Sequence, residues 1–166
     1  MKLKISEIDP QQQKELLPWS LLLDADPDRQ LVASYLERSR VLIAWQEKAE
    51  ALSPLTAAGA VGVTVFEERA EEFEILNVAV AQQFQNQGIG SRLLDECLSL
   101  TTAQAPQKPV LIKTGDLTSP ALSLYQKKGF RQIAVVKDYF IQHYAEPIYE
   151  EGVRLRNQVI LQRRGS

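Results

Sequence analysis

The sequence predicts a mixed α/β domain whose first half is largely antiparallel. Two observations predict it. Runs rich in β-branched residues, such as "VLIAWQ", "AAGAVGVTVFEE" and "FEILNVAV", follow one another with no long helix between them. Two later stretches, "SRLLDECLSLTTAQ" and "SPALSLYQKKGF", have helical spacing and separate the remaining strands. Strands therefore precede and alternate with helices, the pattern of a sheet covered by helices.

The elements follow in order. "KLKISEI" alternates and reads as the first strand, and "QQQKELL" as a short helix. "DPDRQLVASYLERSR" is a helix capped by Asp26 or Asp28. "VLIAWQ", "AAGAVGVTVFEE" and "FEILNVAV" are three successive strands, with "ALSPLTA" a loop or hairpin link. In "SRLLDECLSLTTAQ" the residues Leu93, Leu94, Cys97 and Leu98 share one helical face, so Cys97 is expected in the core. "QAPQKP" breaks that helix. "VLIKT" is a short strand suited to a buried central position. "SPALSLYQKKGF" is a helix with Ser119 as cap, Pro120 in its first turn and Gly129 as its stop. "RQIAVVKDYF" and "RLRNQVILQR" close the sheet, making about seven strands and four helices.

The length, 166 residues, suits one domain over residues 1–166. Apolar residues make up 45%, charged residues 24%, and the net charge is −2, which gives no general pull toward nucleic acid or anionic lipid. No apolar run approaches the about 18 residues that span a bilayer, and the start lacks a signal-peptide block, so a cytoplasmic location is expected. One cysteine and one histidine argue against a structural zinc site, and no metal is expected.

The most informative stretch is "FQNQGIGSRLL". Gly88 and Gly90 stand where a helix must begin, although glycine is a poor helix former. A helix start offers unpaired N–H groups and a positive dipole end, a site suited to phosphate. A Rossmann fingerprint would need a third glycine where Leu93 stands, and a P-loop would need Gly-Lys-Ser/Thr. The spacing Q-x-x-G-x-G in Gln85-Asn86-Gln87-Gly88-Ile89-Gly90 follows a strand ending in "NVAV" and opens a helix. Further on, "ALSLYQKKGF" matches A-x-x-L-Y-x-K-x-G-F.

Together these segments resemble the GNAT acyltransferase superfamily, over roughly residues 71–135. The closing stretch "DYFIQHYAEPIYEEGVRLRNQVIL" resembles a bacterial subgroup labelled YvbK-like. The resemblance implies a GNAT fold, with a mixed, mostly antiparallel sheet whose fourth and fifth strands splay apart. It implies acetyl-CoA as cosubstrate, an amine as acceptor and the possibility of a homodimer. By that analogy the backbone of Val78, Ala79 and Val80 pairs with the pantetheine arm. Gln85, Asn86, Gln87, Gly88, Ile89, Gly90 and Ser91 form the pyrophosphate loop. Relatives often carry a cation between the glutamine and the first glycine; here Asn86 and Gln87 are neutral, and Arg92, Lys127 or Lys128 could compensate. Thr118 stands where many relatives have an arm-contacting asparagine, and Asp116 where the subgroup tends to have one; either could contact the arm or cap the next helix.

Acyl transfer to an amine poses two proton problems. An ammonium with a pKa of about 10.4 must lose a proton before it attacks, and the thioester must expel a thiolate. Tyr125 matches the family tyrosine that assists the leaving thiolate. Glu74 matches the glutamate that serves as base in the histone-modifying branch. With regular pleating it would share a face with Leu76, Val78 and Val80. Asn77 could instead hold a water, and Lys113 occupies the fifth-strand position where some relatives have a base. His143 reads as structural, within a segment of aromatic and acidic residues (Tyr139, Tyr144, Glu146, Glu150) suited to a cationic amine, a solvated connection or a dimer contact. Trp19 and Trp45 suit either the core or the acceptor mouth. The function so implied is N-acetyl transfer to a primary amine of a small molecule or protein. The alternative is a non-catalytic acyl-CoA-binding module.

Overall fold

A computed structural model of the protein describes residues 2–47 and 56–164. Strand β1 spans Leu3–Ile8, β2 Arg40–Gln46, β3 Ala60–Glu68, β4 Phe73–Val80, β5 Val110–Gly115, β6 Arg131–Val136 and β9 Gln158–Arg163. These seven form one sheet in the order β1-β2-β3-β4-β5-β9-β6. Only β4 and β5 run parallel. A separate hairpin joins β7 (Tyr149–Glu150) to β8 (Val153–Arg154). The helices are α1 (Trp19–Ala25), α2 (Arg29–Leu36), α3 (Ile89–Gln104), α4 (Pro120–Lys127) and α5 (Tyr139–His143). The expected mixed sheet, mostly antiparallel, is what forms.

The two faces of the sheet bury different partners. On one face Leu93, Leu94, Cys97 and Leu98 of α3, with Tyr125 of α4, pack on Leu42, Phe66, Phe73, Ile75, Val110 and Ile112. Cys97 is a core residue, as its spacing implied, and burial pushes its thiol up to about 12. On the other face Leu21, Leu22, Val32, Tyr35 and Leu36 of α1 and α2 pack on Val41, Ile43, Trp45, Val63, Val65 and Ala79. Trp45 is thus core, its indole N–H donating to the Thr56 carbonyl at 3.2 Å. Trp19 is only partly buried, with the Arg29 guanidinium 4.1 Å from its ring centre.

Several boundaries differ from the sequence reading. "QQQKELL" supplies only a 3-10 turn at Lys14–Leu16, and the helix starts after Pro18, at Trp19. Proline fixes its own φ and lacks an N–H, so it suits a helix start and would break a helix running through it. Asp28 is the cap of α2, accepting from Leu31 N. The strand from "AAGAV" begins at Ala60, because Ala57–Gly59 forms a 3-10 turn. "RQIAVVKDYF" stops at Val136; Asp138 takes a left-handed φ of 57° and opens α5. In "RLRNQVILQR" Arg154 ends β8, and the strand of the main sheet begins only at Gln158. Residues 51–55 of the "ALSPLTA" link lie outside the described residues.

The feature that positions the site is a fork. β5 pairs with β4 only at Phe73, Glu74 and Ile75. Beyond Ile75 the two strands separate, while β3 stays paired to β4 as far as Val80. The register slips at the fork: Phe66 faces Ile75 but Val65 faces Asn77, so Leu76 is an extra residue in β4. Such a bulge bends its strand and increases its twist, which turns β4 out of reach of β5.

Candidate active site

The bulge re-aims every side chain after it. Before it, Phe73 and Ile75 point to the α3 face and Glu74 to the α1/α2 face. Leu76 then adds one residue, so Asn77 and Ala79 point to the α1/α2 face, and Val78 and Val80 to the α3 face. The expectation that Glu74 shares a face with Val78 and Val80 is therefore corrected: it lies opposite them. Regular pleating was the assumption that failed.

The open edge of β4 carries unpaired backbone. In an antiparallel pair, a residue's N–H and C=O point to the same side. Ala79 faces Val63, and Ala81 N donates to Val61 O at 2.9 Å, so Val80 between them points away from β3 into the fork. Its carbonyl accepts from Gln85 Nε2 at 3.1 Å, which fastens the following loop to the strand. In that loop Asn86 (φ 63°) and Gly88 (φ 82°) are both left-handed. Asparagine and glycine are the residues that tolerate this conformation. Gly88 is the cap residue of α3, and open space surrounds the place where a Cβ would stand. Gly90 has a different role: a Cβ there would lie 3.4 Å from Leu124 of α4, so its absence brings α3 and α4 together. The Ile89 side chain is buried in the core, and Ser91 is half-buried. The loop thus presents main-chain N–H groups at the start of a sixteen-residue helix, with residues 85–88 exposed. Of the cations considered, Lys128 is paired with Asp95 at 2.8 Å, while Arg92 and Lys127 are exposed.

Tyr125 is 7% exposed on the α3 side, edge-on to Phe130 with ring centres 6.2 Å apart. Burial, reinforced by the charge of Glu150, pushes its phenol up to about 12. The β7–β8 hairpin thus brings a carboxylate within electrostatic reach of the tyrosine. Ser119 caps α4 by accepting from Leu122 N at 3.1 Å. Thr118 is exposed, and Asp116 accepts from Asn157 Nδ2 at 3.0 Å. Asn157 also takes the Asp138 N–H at 2.9 Å, so one side chain ties the β5–α4 loop to the start of α5.

Glu74 is 5% exposed and sits at the closed end of the fork. Its Oε1 lies 2.7 Å from Arg69 Nη1 and 3.3 Å from Lys113 Nζ. Neither nitrogen is aligned as a hydrogen-bond donor, so Oε1 keeps an unfilled acceptor position despite the two charges. Directly across the β3–β4 ladder stands Glu67, 3% exposed, which accepts from Arg38 and Arg69. Arg69 therefore bridges two buried carboxylates that would otherwise repel. Asn77, 4% exposed, donates from Nδ2 to the Leu22 carbonyl (3.0 Å) and to the Tyr35 hydroxyl (2.9 Å), and its Oδ1 has no partner. Sequence reasoning missed Arg69, Tyr35 and Asn157. The lone cation inside the acidic turn "EERAEEF" was a readable signal for Arg69; nothing local marks the other two.

A parted pair of parallel strands, with a left-handed glycine loop opening a helix at the parting, matches a known domain. The Acetyltransferase (GNAT) domain signature matches residues 37–132. The chain belongs to the GNAT acetyltransferase family. It is 35% identical to the uncharacterized N-acetyltransferase YvbK of Bacillus subtilis, over 86% of each chain. It is similar to a structure described as an IAA acetyltransferase from Bacillus cereus: 34% identity, 98% of this chain and 99% of that one, TM-score 0.82. A GNAT acetyltransferase of Elizabethkingia anophelis with acetyl-CoA bound has 31% identity, covers 98% and 97%, and also gives 0.82. Tyr125 belongs to the α3/α4-side cluster against which Val78 and Val80 pack, while Glu74 and Asn77 stand on the α1/α2 face.

Replacing Arg69 with Leu leaves Glu67 and Glu74 facing each other. Breaking a fully buried pair costs about 3–5 kcal/mol. Arg69 is partly exposed, so a loss of about 2 kcal/mol is expected in urea unfolding. Adding Glu67→Gln to that variant should recover part of the loss; full additivity of the two substitutions would show that Arg69 and Glu67 are not coupled.

The buried phenols and thiol make an alkaline prediction. Burial raises Tyr35 and Tyr125 to about 12 from 10.0, and Cys97 to about 12 from 9.0. The fold therefore favours their neutral forms. That stability is complete below the unfolded values and is lost as pH rises toward the folded ones. Urea midpoints should be flat up to pH 9 and fall steeply between pH 10 and 12, with buried tyrosine absorbance appearing only on unfolding. A midpoint unchanged at pH 11.5 would contradict the burial of these groups.

Proposed function

We propose that the protein transfers an acetyl group from acetyl-CoA to a primary amine by direct attack of the amine on the thioester. The observation that supports this best is the fork itself. It leaves the Val80 backbone open beside a loop of outward N–H groups at the N-terminus of α3. That arrangement fits an extended amide-bearing arm along Val78, Ala79 and Val80 and a pyrophosphate at residues 85–91. Gln85 must release the Val80 carbonyl for the arm to pair with it. Asn86 and Gln87 add no charge, so the main-chain N–H groups and the helix dipole carry the anion, a dipole contribution of about 0.3–1 kcal/mol.

Acetyl-CoA supplies the activated thioester. As the amine nitrogen bonds to the carbonyl carbon, the C–S bond breaks and charge develops on sulfur. Tyr125, held neutral by burial, donates a hydrogen bond to that charge. With the phenol near 12 and a thiol near 8.5, complete proton transfer is uphill by about 5 kcal/mol. Its role is therefore hydrogen bonding to the leaving thiolate, with protonation completed by solvent. The amine proton goes to Glu74, directly or through water, or to a water held by Asn77 Oδ1. Glu74 and the unfilled Oδ1 of Asn77 both lie on the α1/α2 face, opposite the tyrosine.

A second reading has one observation in its favour. Glu74 is already in contact with Arg69 and Lys113, which suits a module that binds acyl-CoA without turnover. Titration calorimetry with acetyl-CoA, against NAD as a control, tests the donor site; free-thiol release with amines then separates the readings. Wild type should bind acetyl-CoA and not NAD. Tyr125→Phe should lower kcat about 10²-fold or more with little change in acetyl-CoA affinity. Binding without thiol release from any amine would favour the second reading.

Glu74→Gln should depress the rate most at low pH, where neutral amine is scarcest. An unaltered pH profile would move proton removal to the water at Asn77.

A further inference from the structure

The α1/α2 side of the fork carries a second polar cluster, whose carboxylate Asp26 and phenol Tyr144 are used by neither the cofactor reading nor the acetyl step and which meets that step only at Asn77. Asp26 follows the last turn of α1, half-buried. Its backbone N–H donates to the Leu22 carbonyl at 3.0 Å, the same carbonyl that receives Asn77 Nδ2 at 3.0 Å. The Asp26 backbone and the Asn77 side chain therefore meet at one carbonyl, on the α1/α2 side of the splayed half of β4. Asn77 Nδ2 reaches the Tyr35 hydroxyl. From the other side, the Tyr144 hydroxyl donates to Asp26 Oδ1 at 3.3 Å, so the segment after α5 closes over the end of α1. Tyr144 is held there by stacking on Phe140, and Tyr139 stacks on His143.

Two features of this cluster point to a ligand. Among the described residues, no cation pairs with Asp26, although burial penalises its charge and raises its pKa. Independently, Asn77 Oδ1 is a buried acceptor with no donor. A buried acceptor without a partner costs free energy, and so does a desolvated carboxylate without a counter-ion. A protonated nitrogen with several N–H donors relieves both.

We infer that Asp26, with the Tyr144 and Tyr35 hydroxyls and Asn77 Oδ1, binds a non-reacting ammonium of the acceptor, which makes the preferred acceptor an aliphatic diamine or a longer polyamine. This rests on the acetyltransferase reading for the other end of the same molecule. The anchored nitrogen is not the one that is acetylated. A carboxylate stabilises the ammonium form, and the attacking nitrogen must be neutral. The reacting amine belongs at the fork, between the Tyr125 and Glu74 faces, while the second nitrogen remains protonated at Asp26.

The test uses 1,4-diaminobutane and butylamine, which differ only in the second nitrogen. Both are titrated calorimetrically into the full chain, with and without CoA, and both are assayed for acetylation with acetyl-CoA. Wild type should bind the diamine and acetylate it with a kcat/KM about tenfold or more above butylamine, the margin expected of a charge-assisted hydrogen bond. Asp26→Asn keeps an oxygen for the Asp28 N–H and for Tyr144, so the fold is preserved. It should raise KM for the diamine about tenfold, leave butylamine and acetyl-CoA affinity unchanged, and leave kcat nearly as it was. Tyr144→Phe should give a smaller change in the same direction. No calorimetric binding of the diamine, or an Asp26→Asn variant that keeps the wild-type preference, overturns the anchor. Loss of acetyl-CoA binding would instead defeat the acetyltransferase reading, and diamine calorimetry still decides the anchor in that case.

Discussion

The extra residue at Leu76 is the constraint on which the rest of this structure depends. A sheet without it would continue the β4–β5 ladder, and Lys113, Thr114 and Gly115 of β5 would take up the next three residues of β4. With it, pairing to β5 ends at Ile75 while pairing to β3 continues. Strand β4 therefore remains anchored along one edge and offers the other. A free strand edge is normally a liability, because its unpaired N–H and C=O groups recruit other chains. Here the open edge lies inside the sheet, with the α3/α4 cluster on one face and the α1/α2 cluster on the other.

The same residue divides the chemistry between the two faces. Towards α3 the fork is lined by Val78 and Val80, with Tyr125 as the polar contribution from α4. Towards α1 and α2 it carries two polar chains. One runs from Arg38 through Glu67 and Arg69 to Glu74 and Lys113. The other runs from Asn77 to Tyr35 and, through the Leu22 carbonyl, to Asp26 and Tyr144. A reaction that brings a long acyl carrier to meet a charged amine benefits from this division. On the proposed function the carrier's arm would meet backbone and apolar side chains, and the amine would meet acceptors. Each partner can then be recognised by groups that do not compete for it.

The fold was legible because its signals are local. "FEILNVAV" carries its strand bounds in its own residues, and Ser119-Pro120 with Gly129 brackets α4 by capping chemistry alone. The glycine loop was legible for the same reason: Gly88 answers a positive φ, and the helix that follows has a clear apolar face. What failed was whatever depends on partners distant in sequence. A bulge is set by the mismatch between two strands, and nothing within "FEILNVAV" marks Leu76 as the residue in excess. The placement of Glu74 failed with it. Asn157 looks like an ordinary residue ahead of a strand, yet its two side-chain bonds reach residues 41 and 19 positions away. Tyr35 reads as one more apolar position of α2, and only the fold reveals that its hydroxyl meets Asn77. Helix α1 was illegible for a local reason: "WSLLLDA" is short and starts behind Pro18 with no capping side chain.

The placement of Glu74 gives its carboxylate two cationic neighbours. A base in an apolar pocket would owe its readiness to desolvation alone. Glu74 instead shares one oxygen with an arginine and a lysine, and that oxygen still lacks an aligned donor. The two cations differ in freedom. Arg69 is tied to Glu67 by two of its nitrogens and cannot leave without exposing both carboxylates to each other. Lys113 extends from β5 just past the last paired residue and holds Glu74 at 3.3 Å, the looser of the two contacts. An acceptor ammonium entering from the α1/α2 side carries the same charge as the lysine and can take its place at Oε1. Exchange of one cation for another keeps the charge of the cluster constant, so entry does not require the carboxylate to be stripped of its partners. On the proposed mechanism Arg69 would hold the carboxylate in position while Lys113 yields, and Oε1 would be the acceptor for the amine proton.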